Sequence, residues 1–321
     1  MLLQKLFIIC DVPAITFLEP LLKTKLYYMI KYEKAIFNVV DKSMSRERLT
    51  ITLRAELLKA LDGNIDGEKL RNRSHAIEYF LSKALASKGT KVLILAGGKQ
   101  AEFPPFSGNV PKAMVEIGGK PLLEHTILRL KASGLKDIVI SISQTGGQIK
   151  KYFSDGSKWD VNISYLEQSQ TKGGTAQPLL QAKQEFSSST FLLLYGDVLT
   201  TINFLDLLDF HRNQQNVVAT MALSSVEHVS MWGLAKLNGA KIMEYEEKPK
   251  TPKTHSHLVN AGVYVMEPSI FKYIDQTAIK LESNVFPRLA EEGKMAGYAF
   301  EGTWFDVCNA ESYKQAVREW R

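Results

Sequence analysis

The pattern of apolar and polar positions divides the chain into three stretches. Residues 1–43 are rich in apolar and aromatic side chains and show no steady period. Residues 44–88 are compact and basic, and residues 89–321 alternate short apolar runs with amphipathic segments. We therefore predict an N-terminal extension over 1–43, a small module over 44–88 and a large domain over 89–321, with a linker near residues 87–90.

The third stretch carries the clearest pattern. Val92–Ala96 is an uninterrupted apolar run, which is typical of a strand buried on both faces. Further strands are predicted at Ile138–Ile142, Val161–Tyr165, Phe191–Tyr195, Val217–Leu223 and Val259–Met266, with helices at Pro121–Ser133, Gln177–Glu185 and Phe204–Arg212. This alternation indicates an α/β fold, a doubly wound and mostly parallel sheet covered by helices on both faces. Asn238-Gly239 between the segments Leu234–Leu237 and Lys241–Glu246 predicts a hairpin.

The second stretch has a different pattern. Arg48–Arg54 alternates strictly between apolar and polar residues and predicts one amphipathic strand. Two helices are predicted after it, the first at Ala55–Asp62 and the second with Ser74 as its N-cap. One strand and two short helices bury little surface and leave the strand edges unpaired, so this module requires a partner copy.

The module over residues 44–88 resembles the ribbon-helix-helix family, in which two chains pair their strands and lay the ribbon in the DNA major groove. The resemblance implies a homodimer or higher homo-oligomer through this module. It also implies DNA as a partner, with Arg48, Thr50 and Thr52 at base edges and amides near Ser74 at a phosphate. The alternative is that the module only dimerises the protein.

Charge supports a distinct N-terminal region. Residues 1–89 contain 15 Lys and Arg against 10 Asp and Glu, whereas residues 90–321 contain 25 against 24. Nearly all of the net charge of +6 is therefore N-terminal. Such asymmetry favours an anionic partner, such as nucleic acid, for the small module.

The cysteines and the first apolar segment bear on where in the cell the protein is found. Cys10 and Cys308 are too few and too far apart for a disulfide framework, so we expect a cytoplasmic protein. Charged residues and prolines break the apolar run Leu2–Leu22 before it reaches the roughly 18–20 residues that a membrane helix needs, so no membrane partner is expected. Residues 1–43 are either upstream of a start at Met44 or an extra helical pair.

Candidate chemistry lies where the predicted strands end, because ligands of a doubly wound sheet gather beyond the carboxyl ends of its strands. Gly97 and Gly98 follow the first strand, where glycines let backbone amides approach a phosphate or simply form a tight turn. Asp197 follows the strand at 191–195, and Asp306 follows an aromatic pair. Each carboxylate is either a ligand for a divalent cation or a cap or turn residue.

Eight motifs occur in order in the large domain. They are LAGG at Leu95–Gly98, PKAM at Pro111–Met114, GGKPLLEH at Gly118–His125, GGTA at Gly173–Ala176, YGDVL at Tyr195–Leu199, EEKP at Glu246–Pro249, NAGVY at Asn260–Tyr264 and WFDV at Trp304–Val307. Together they resemble the sugar-phosphate nucleotidyltransferase family, in particular its short mannose-1-phosphate guanylyltransferase and glucose-1-phosphate thymidylyltransferase members. The resemblance implies a Rossmann-like fold and an enzyme that joins a nucleoside triphosphate to a sugar 1-phosphate and releases pyrophosphate.

The resemblance also implies roles for individual residues. Catalytic roles fall on Lys112, Asp197 and Lys248, and Asp197 and Asp306 are the implied ligands of Mg²⁺. Nucleotide contacts are implied for Leu95, Ala96, Gly97, Gly98, Gln168, Gly173, Gly174 and Thr175. Sugar-phosphate contacts are implied for Gly233, Glu247, Lys248 and Asn260.

One segment departs from the family pattern. After LAGG the family has a glycine, a threonine and an arginine in a loop that folds over the triphosphate, whereas this chain has Gln100, Ala101 and Glu102. The arginine compensates charge that builds on the leaving pyrophosphate, and Glu102 brings a like charge instead. Three hypotheses follow: an active nucleotidyltransferase, a catalytically impaired regulator that binds a nucleotide or NDP-sugar, or a purely structural protein with an inert pocket.

Overall fold

The computed structural model describes residues 50–68, 70–87, 89–98, 100–106, 108, 110–168, 174–252 and 254–320. The chain divides after Gly63 into two compact units. The predicted extension, Arg48 and Gly173 lie outside the described residues. No helix within the described ranges is both long and apolar enough to traverse a bilayer.

The second unit contains thirteen strands in its described part. In chain order they are β1 (Val92–Leu95), β2 (Glu116–Ile117), β3 (Lys120–Pro121), β4 (Asp137–Ile142), β5 (Asn162–Glu167), β6 (Phe191–Tyr195), β7 (Val198–Thr200), β8 (Ala219–Ser225), β9 (Gly233–Asn238), β10 (Lys241–Glu247), β11 (Leu258–Met266), β12 (Met295–Ala299) and β13 (Trp304–Asp306). Nine of these strands form one sheet with the order β5-β4-β1-β6-β11-β8-β12-β10-β9. Strands β2 and β3 form a small hairpin, and β7 pairs with β13.

The direction of strand pairing changes at β6. Strands β5, β4, β1 and β6 pair in parallel, whereas β11 runs antiparallel to both β6 and β8. In the other half only β8 and β12 are parallel among the described pairs. The predicted α/β class is confirmed, but the sheet is mixed and not mostly parallel, because β11 and the β9–β10 hairpin add antiparallel pairs to it. Apart from β8 and β12, the parallel pairing lies in the half that contains β1. The predicted hairpin forms between β9 and β10, with Gly239 at a φ of 58°.

Helices cover both faces of the sheet. Among the described residues, the first unit contains α1 (Ala55–Asp62), and the α-helices of the second unit are α2 (Arg73–Ser87), α3 (Leu122–Ala132), α4 (Gly147–Phe153), α5 (Ala176–Gln181), α6 (Lys183–Phe186), α7 (Phe204–Arg212), α8 (Leu281–Asn284), α9 (Phe286–Glu291) and α10 (Ala310–Glu319). Leu93 of β1 packs into one core with α5, α6 and α9, while Val92 and Ile94 pack into the other with α3, α4 and α7. Both faces of this strand are buried, which explains its unbroken apolar run.

The two N-terminal helices agree with the sequence pattern except at one cap. Helix α1 has the predicted bounds, Ala55–Asp62. The expectation that Ser74 caps the next helix is wrong, because α2 begins at Arg73 and the Asn72 side chain accepts from the His75 amide at 2.9 Å. Residues 50–54 have no regular secondary structure within this single chain, so the strand pairing with a second copy stays a prediction.

Candidate active site

A large cavity opens at the carboxyl ends of the parallel strands β1, β4, β5 and β6. Its volume is about 730 Å³. It brings together the described members of the predicted nucleotide set, which are Leu95, Ala96, Gly97, Gly98, Gln168, Gly174 and Thr175. Lys112 and Asp197 also line it, as does Glu102.

A smaller cavity of about 130 Å³ adjoins the first. Its wall comes mainly from the antiparallel half of the sheet and from β13. It contains every residue predicted to contact a sugar phosphate, and these are Gly233, Glu247, Lys248 and Asn260. Tyr195 and Asp197, at the end of β6, line both cavities. The structure therefore places two compartments side by side, with Asp197 where they meet.

The glycine loop after β1 allows a close backbone approach. A Cβ at Gly97 would overlap the amide group of Gln168, so any other residue would have to displace this side chain. The Gln168 amide in turn donates to Ser141 Oγ at 3.2 Å, which holds it across the loop. At Gly98 nothing lies within 4 Å of a Cβ position, so the backbone faces open space. Backbone in this arrangement is accessible to a bound anion.

Asp197 and Asp306 come together because β7 and β13 are paired. Asp306 is opposite Val198, and the Val307 amide donates to the Asp197 carbonyl at 3.2 Å. Burial raises the pKa of Asp197, while the Lys112 ammonium opposes that effect. Burial and the neighbouring charge of Asp197 raise the pKa of Asp306 to about 6. Two carboxylates in one pocket wall therefore repel each other.

This pair fits a divalent cation. Within the described part of the chain, no group of three or more His, Cys, Asp or Glu side chains is arranged to hold a metal ion. Mg²⁺ is commonly held by one or two carboxylates together with phosphate oxygens and waters, so a pair beside a cavity is sufficient. A cation there would also offset the repulsion that raises the pKa of Asp306.

A bulge in β11 positions Asn260. The register of β11 against β8 shifts between Asn260 and Tyr264, with Gly262 at a φ of 70°. The Asn260 Oδ1 accepts from the Gly262 amide at 3.0 Å and from the Tyr264 hydroxyl at 2.7 Å. These bonds orient the amide so that its Nδ2 lies 3.3 Å from the Tyr245 hydroxyl. The bulge thus aims a fixed polar side chain into the small cavity.

The end of β10 supplies a carboxylate and a cation. The Tyr245 hydroxyl donates to Glu247 Oε2 at 2.9 Å, and burial raises the pKa of Glu247. A Cβ at Gly233 would meet both that hydroxyl and the carboxylate, so only glycine leaves them room. Lys248 adopts a φ of 47°, a left-handed conformation that costs roughly 1–2 kcal/mol for a residue with a side chain.

Several wall residues were not predicted from the sequence. Ser143, Thr145 and Lys280 line the large cavity, and Trp232 and Glu282 line the small one. None of them belongs to the eight motifs. Ser143 and Thr145 follow β4 within three residues. Because ligands of such a sheet bind beyond the carboxyl ends of its strands, the end of the predicted strand at Ile142 could have indicated them.

The arrangement of motifs and cavities is matched by a known family. The family model described as "Nucleotidyl transferase" matches residues 91–321. The chain belongs to this family. The predicted resemblance to sugar-phosphate nucleotidyltransferases is therefore confirmed, and so is the fold class that it implied.

Relatives of this nucleotidyl transferase family member include two named enzymes. The mannose-1-phosphate guanyltransferase of Yarrowia lipolytica is 33% identical over 225 residues, 68% of this chain and 60% of that protein. The UTP--glucose-1-phosphate uridylyltransferase of Synechocystis is 30% identical over 244 residues, 71% of this chain and 62% of that protein. The chain spans about three fifths of the length of the curated relatives it matches.

The fold is also found among solved structures. HddC from Yersinia pseudotuberculosis matches with a TM-score of 0.62 and 21% identity, over 72% of this chain and 100% of that chain. At this level of identity the likeness shows the fold alone.

Proposed function

We propose that this protein transfers a nucleoside monophosphate from a nucleoside triphosphate to a sugar 1-phosphate. The products are an NDP-sugar and pyrophosphate. The observation that carries the proposal is the meeting of a large and a small cavity at Asp197, since the reaction needs two anionic substrates side by side. Relatives named as guanylyl- and uridylyltransferases of sugar phosphates support it.

In this proposal the large cavity binds the nucleotide. The glycine loop of β1 contacts the phosphates through its backbone, Gln168 with Gly173 or Gly174 faces the base, and Thr175 also contacts the nucleotide. Gly173 is assigned from its motif alone. The small cavity binds the sugar phosphate through Lys248 and Asn260, with Glu247 on the sugar hydroxyls. These assignments rest on the positions of the cavities and on the motifs.

The chemistry requires little proton transfer. A phosphate oxygen of the sugar 1-phosphate forms a bond to the α-phosphorus, and the bond from that phosphorus to the β-phosphate bridging oxygen breaks in line. Lys112 and Lys248 reduce the repulsion between the two anions and hold them in attack geometry. Asp197 and Asp306 would hold Mg²⁺. When bound there, the ion would neutralise charge on the phosphates.

A panel assay tests this function. The purified chain is incubated with MgCl₂, each of the common nucleoside triphosphates and several sugar 1-phosphates, and pyrophosphate release is measured. We expect release with at least one pair and none when MgCl₂ is replaced by EDTA. A matched control is Asp197→Asn, which removes one implied ligand. No release across the whole panel would refute the transferase.

A second candidate function is favoured by Glu102. This carboxylate lines the large cavity, in the segment where the family has an arginine. A catalytically impaired regulator that binds a nucleotide or NDP-sugar is consistent with such a charge. Calorimetric binding of nucleoside triphosphates and NDP-sugars without pyrophosphate release would favour this second function, and release of pyrophosphate would exclude it.

The N-terminal module and the location remain predictions. Dimerisation through residues 44–88, DNA binding and a cytoplasmic compartment rest on the sequence pattern, the charge distribution and the cysteine content alone. Under either function, a dimerising module would place two nucleotidyltransferase-family domains in one particle.

A further inference from the structure

Glu282 is a buried carboxylate in the wall of the small cavity. It is the second residue of helix α8, and only 8% of its surface is exposed. Burying a carboxylate is costly unless hydrogen bonds stabilise the charged form. The partners of Glu282 therefore indicate why a charge occupies this position.

The two oxygens of Glu282 bind two different parts of the site. Oε2 accepts from the Thr175 hydroxyl at 2.6 Å, and Oε1 accepts from the Tyr195 hydroxyl at 2.6 Å. Thr175 belongs to the large cavity, and Tyr195 lines both cavities. Hydroxyl bonds to a carboxylate at this length are among the strong hydrogen bonds of proteins.

The backbone around these side chains is closely packed. The Leu281 amide donates to Thr175 Oγ1 at 2.9 Å, so the threonine hydroxyl both donates and accepts. The Ala176 amide donates to the Ile279 carbonyl at 3.0 Å. A Cβ at Gly174 would overlap that same carbonyl oxygen. Residues 174–176 are thus held against residues 279–282 by backbone and side chain together.

We infer that Glu282 is a positioning residue that fixes the nucleotide-side segment 174–176 and the shared Tyr195 in one mutual geometry. The inference rests on the proposed function for its kinetic consequences. A neutral residue would fill the same volume, but it would lack the two acceptor oxygens that orient both hydroxyls. Through Thr175 the carboxylate acts on the nucleotide, and through Tyr195 it acts on both substrates.

The kinetic test compares single variants with a matched control. Glu282→Gln is expected to raise the KM for the nucleotide and the KM for the sugar 1-phosphate, each by about tenfold. Thr175→Val should raise mainly the nucleotide KM, and Tyr195→Phe should raise both. Glu291→Gln, at an exposed position in helix α9, removes the same charge and should leave both KM values unchanged.

A double variant separates positioning from bulk stability. If Glu282 acts on the nucleotide through Thr175, Glu282→Gln with Thr175→Val should raise the nucleotide KM no further than the worse single change. Unchanged KM values in Glu282→Gln, with only a lower melting temperature, would overturn the inference. Thr175→Val and Tyr195→Phe keep the buried carboxylate and each remove one of its two hydrogen bonds, and Thr175→Val also removes the acceptor of the Leu281 amide. These two variants test the role even if Glu282→Gln does not fold.

A second measurement distinguishes failure of this inference from failure of the proposed function. If the parent chain releases no pyrophosphate, the transferase is refuted, and amide hydrogen exchange then decides the role of Glu282. We expect faster exchange of the Leu281 amide and of residues 174–181 in Glu282→Gln and in Thr175→Val, but not in Glu291→Gln. Exchange equal to that of the parent protein would overturn the inference.

Discussion

The ammonium of Lys112 lies 4.0 Å from Oδ2 of Asp197. The two side chains are 23% and 30% exposed, so both remain open to the cavity where the compartments meet. Lys112 is held there by a single turn of 3₁₀ helix, Lys112–Met114, after Pro111. In the proposed reaction the lysine would bind phosphate while its partner would bind Mg²⁺, so the proposal places the reaction centre at this ion pair.

Replacing Lys112 by methionine is expected to lower kcat/KM for pyrophosphate release by about 100-fold to 1,000-fold. The physical reason is that a cation which offsets phosphate charge is lost in a partly desolvated pocket. The measurement is steady-state kinetics at saturating Mg²⁺. Lys120→Met serves as the control, because Lys120 is exposed and lines neither cavity. Similar kinetics in both variants would contradict the role of Lys112.

Replacing Glu102 by arginine is expected to raise the rate of pyrophosphate release by about tenfold or more. The change exchanges repulsion of the triphosphate for attraction at the wall of the large cavity. Glu185→Arg makes the same change in net charge at an exposed position away from both cavities. A rate for Glu102→Arg that is equal to or below that of the parent would argue against the electrostatic account.

Replacing Asp306 by asparagine is expected to abolish stabilisation by Mg²⁺. With nucleotide present, Mg²⁺ at 100 times its Kd should add about 2.7 kcal/mol to the parent's free energy of unfolding. The variant keeps an acceptor oxygen for the Trp232 indole but loses the second charge. Thermal unfolding with MgCl₂ and with EDTA measures the difference. An equal response to Mg²⁺ in parent and variant would remove Asp306 from the metal site.

Glu267 lies away from the candidate site and makes a pH-dependent contribution to the free energy of unfolding. The imidazole of His211, buried at 3% exposure, donates through Nε2 to Glu267 Oε1 at 3.0 Å, and this bond lowers the pKa of Glu267. Because the folded-state pKa is lowered, the contribution is present above the ordinary pKa of about 4.5 and is lost as the pH falls through the folded value.

Glu267→Gln is therefore expected to cost about 1–2 kcal/mol at pH 7, a value that allows for partial solvent screening. The difference in the free energy of unfolding between variant and parent should shrink as the pH falls below 4.5, the ordinary pKa of a glutamate. Urea unfolding at a series of pH values measures it, with the exposed Glu291→Gln as the control. A difference that stays constant across this range would show that the charge does not contribute.

Local apolar runs made much of the fold predictable from the sequence. Phe191–Tyr195 and Phe204–Arg212 have the bounds that the pattern predicts. Strand β12, Met295–Ala299, was not predicted because Gly297 and two alanines weaken its pattern. A Cβ at Gly297 would lie 2.5 Å from Leu237 and 2.7 Å from Leu223, so packing against distant residues selects the glycine.

Site residues were predictable from the sequence where they belong to the motifs. They were not predictable where their position depends on contacts between residues far apart in the sequence. Gly97, Lys112 and Asp197 are found where the motifs place them. Glu282 was missed because its partners, Thr175 and Tyr195, are separated from it by 107 and 87 residues. Spacings of that size leave no periodic trace in the sequence, since only the folded domain brings such residues together.

The change of pairing direction at β6 has a consequence for how specificity can diversify. The large cavity takes its wall mostly from residues 95–197 and the small cavity from residues 195–306, with Lys280 an exception among the described residues. Under the proposed function, recombination between relatives just after β7 would therefore exchange most of the acceptor compartment and leave the donor compartment intact except for Lys280 and the contact of Glu282 to Thr175. Such an exchange would conserve nucleotide specificity only between relatives that share this contact.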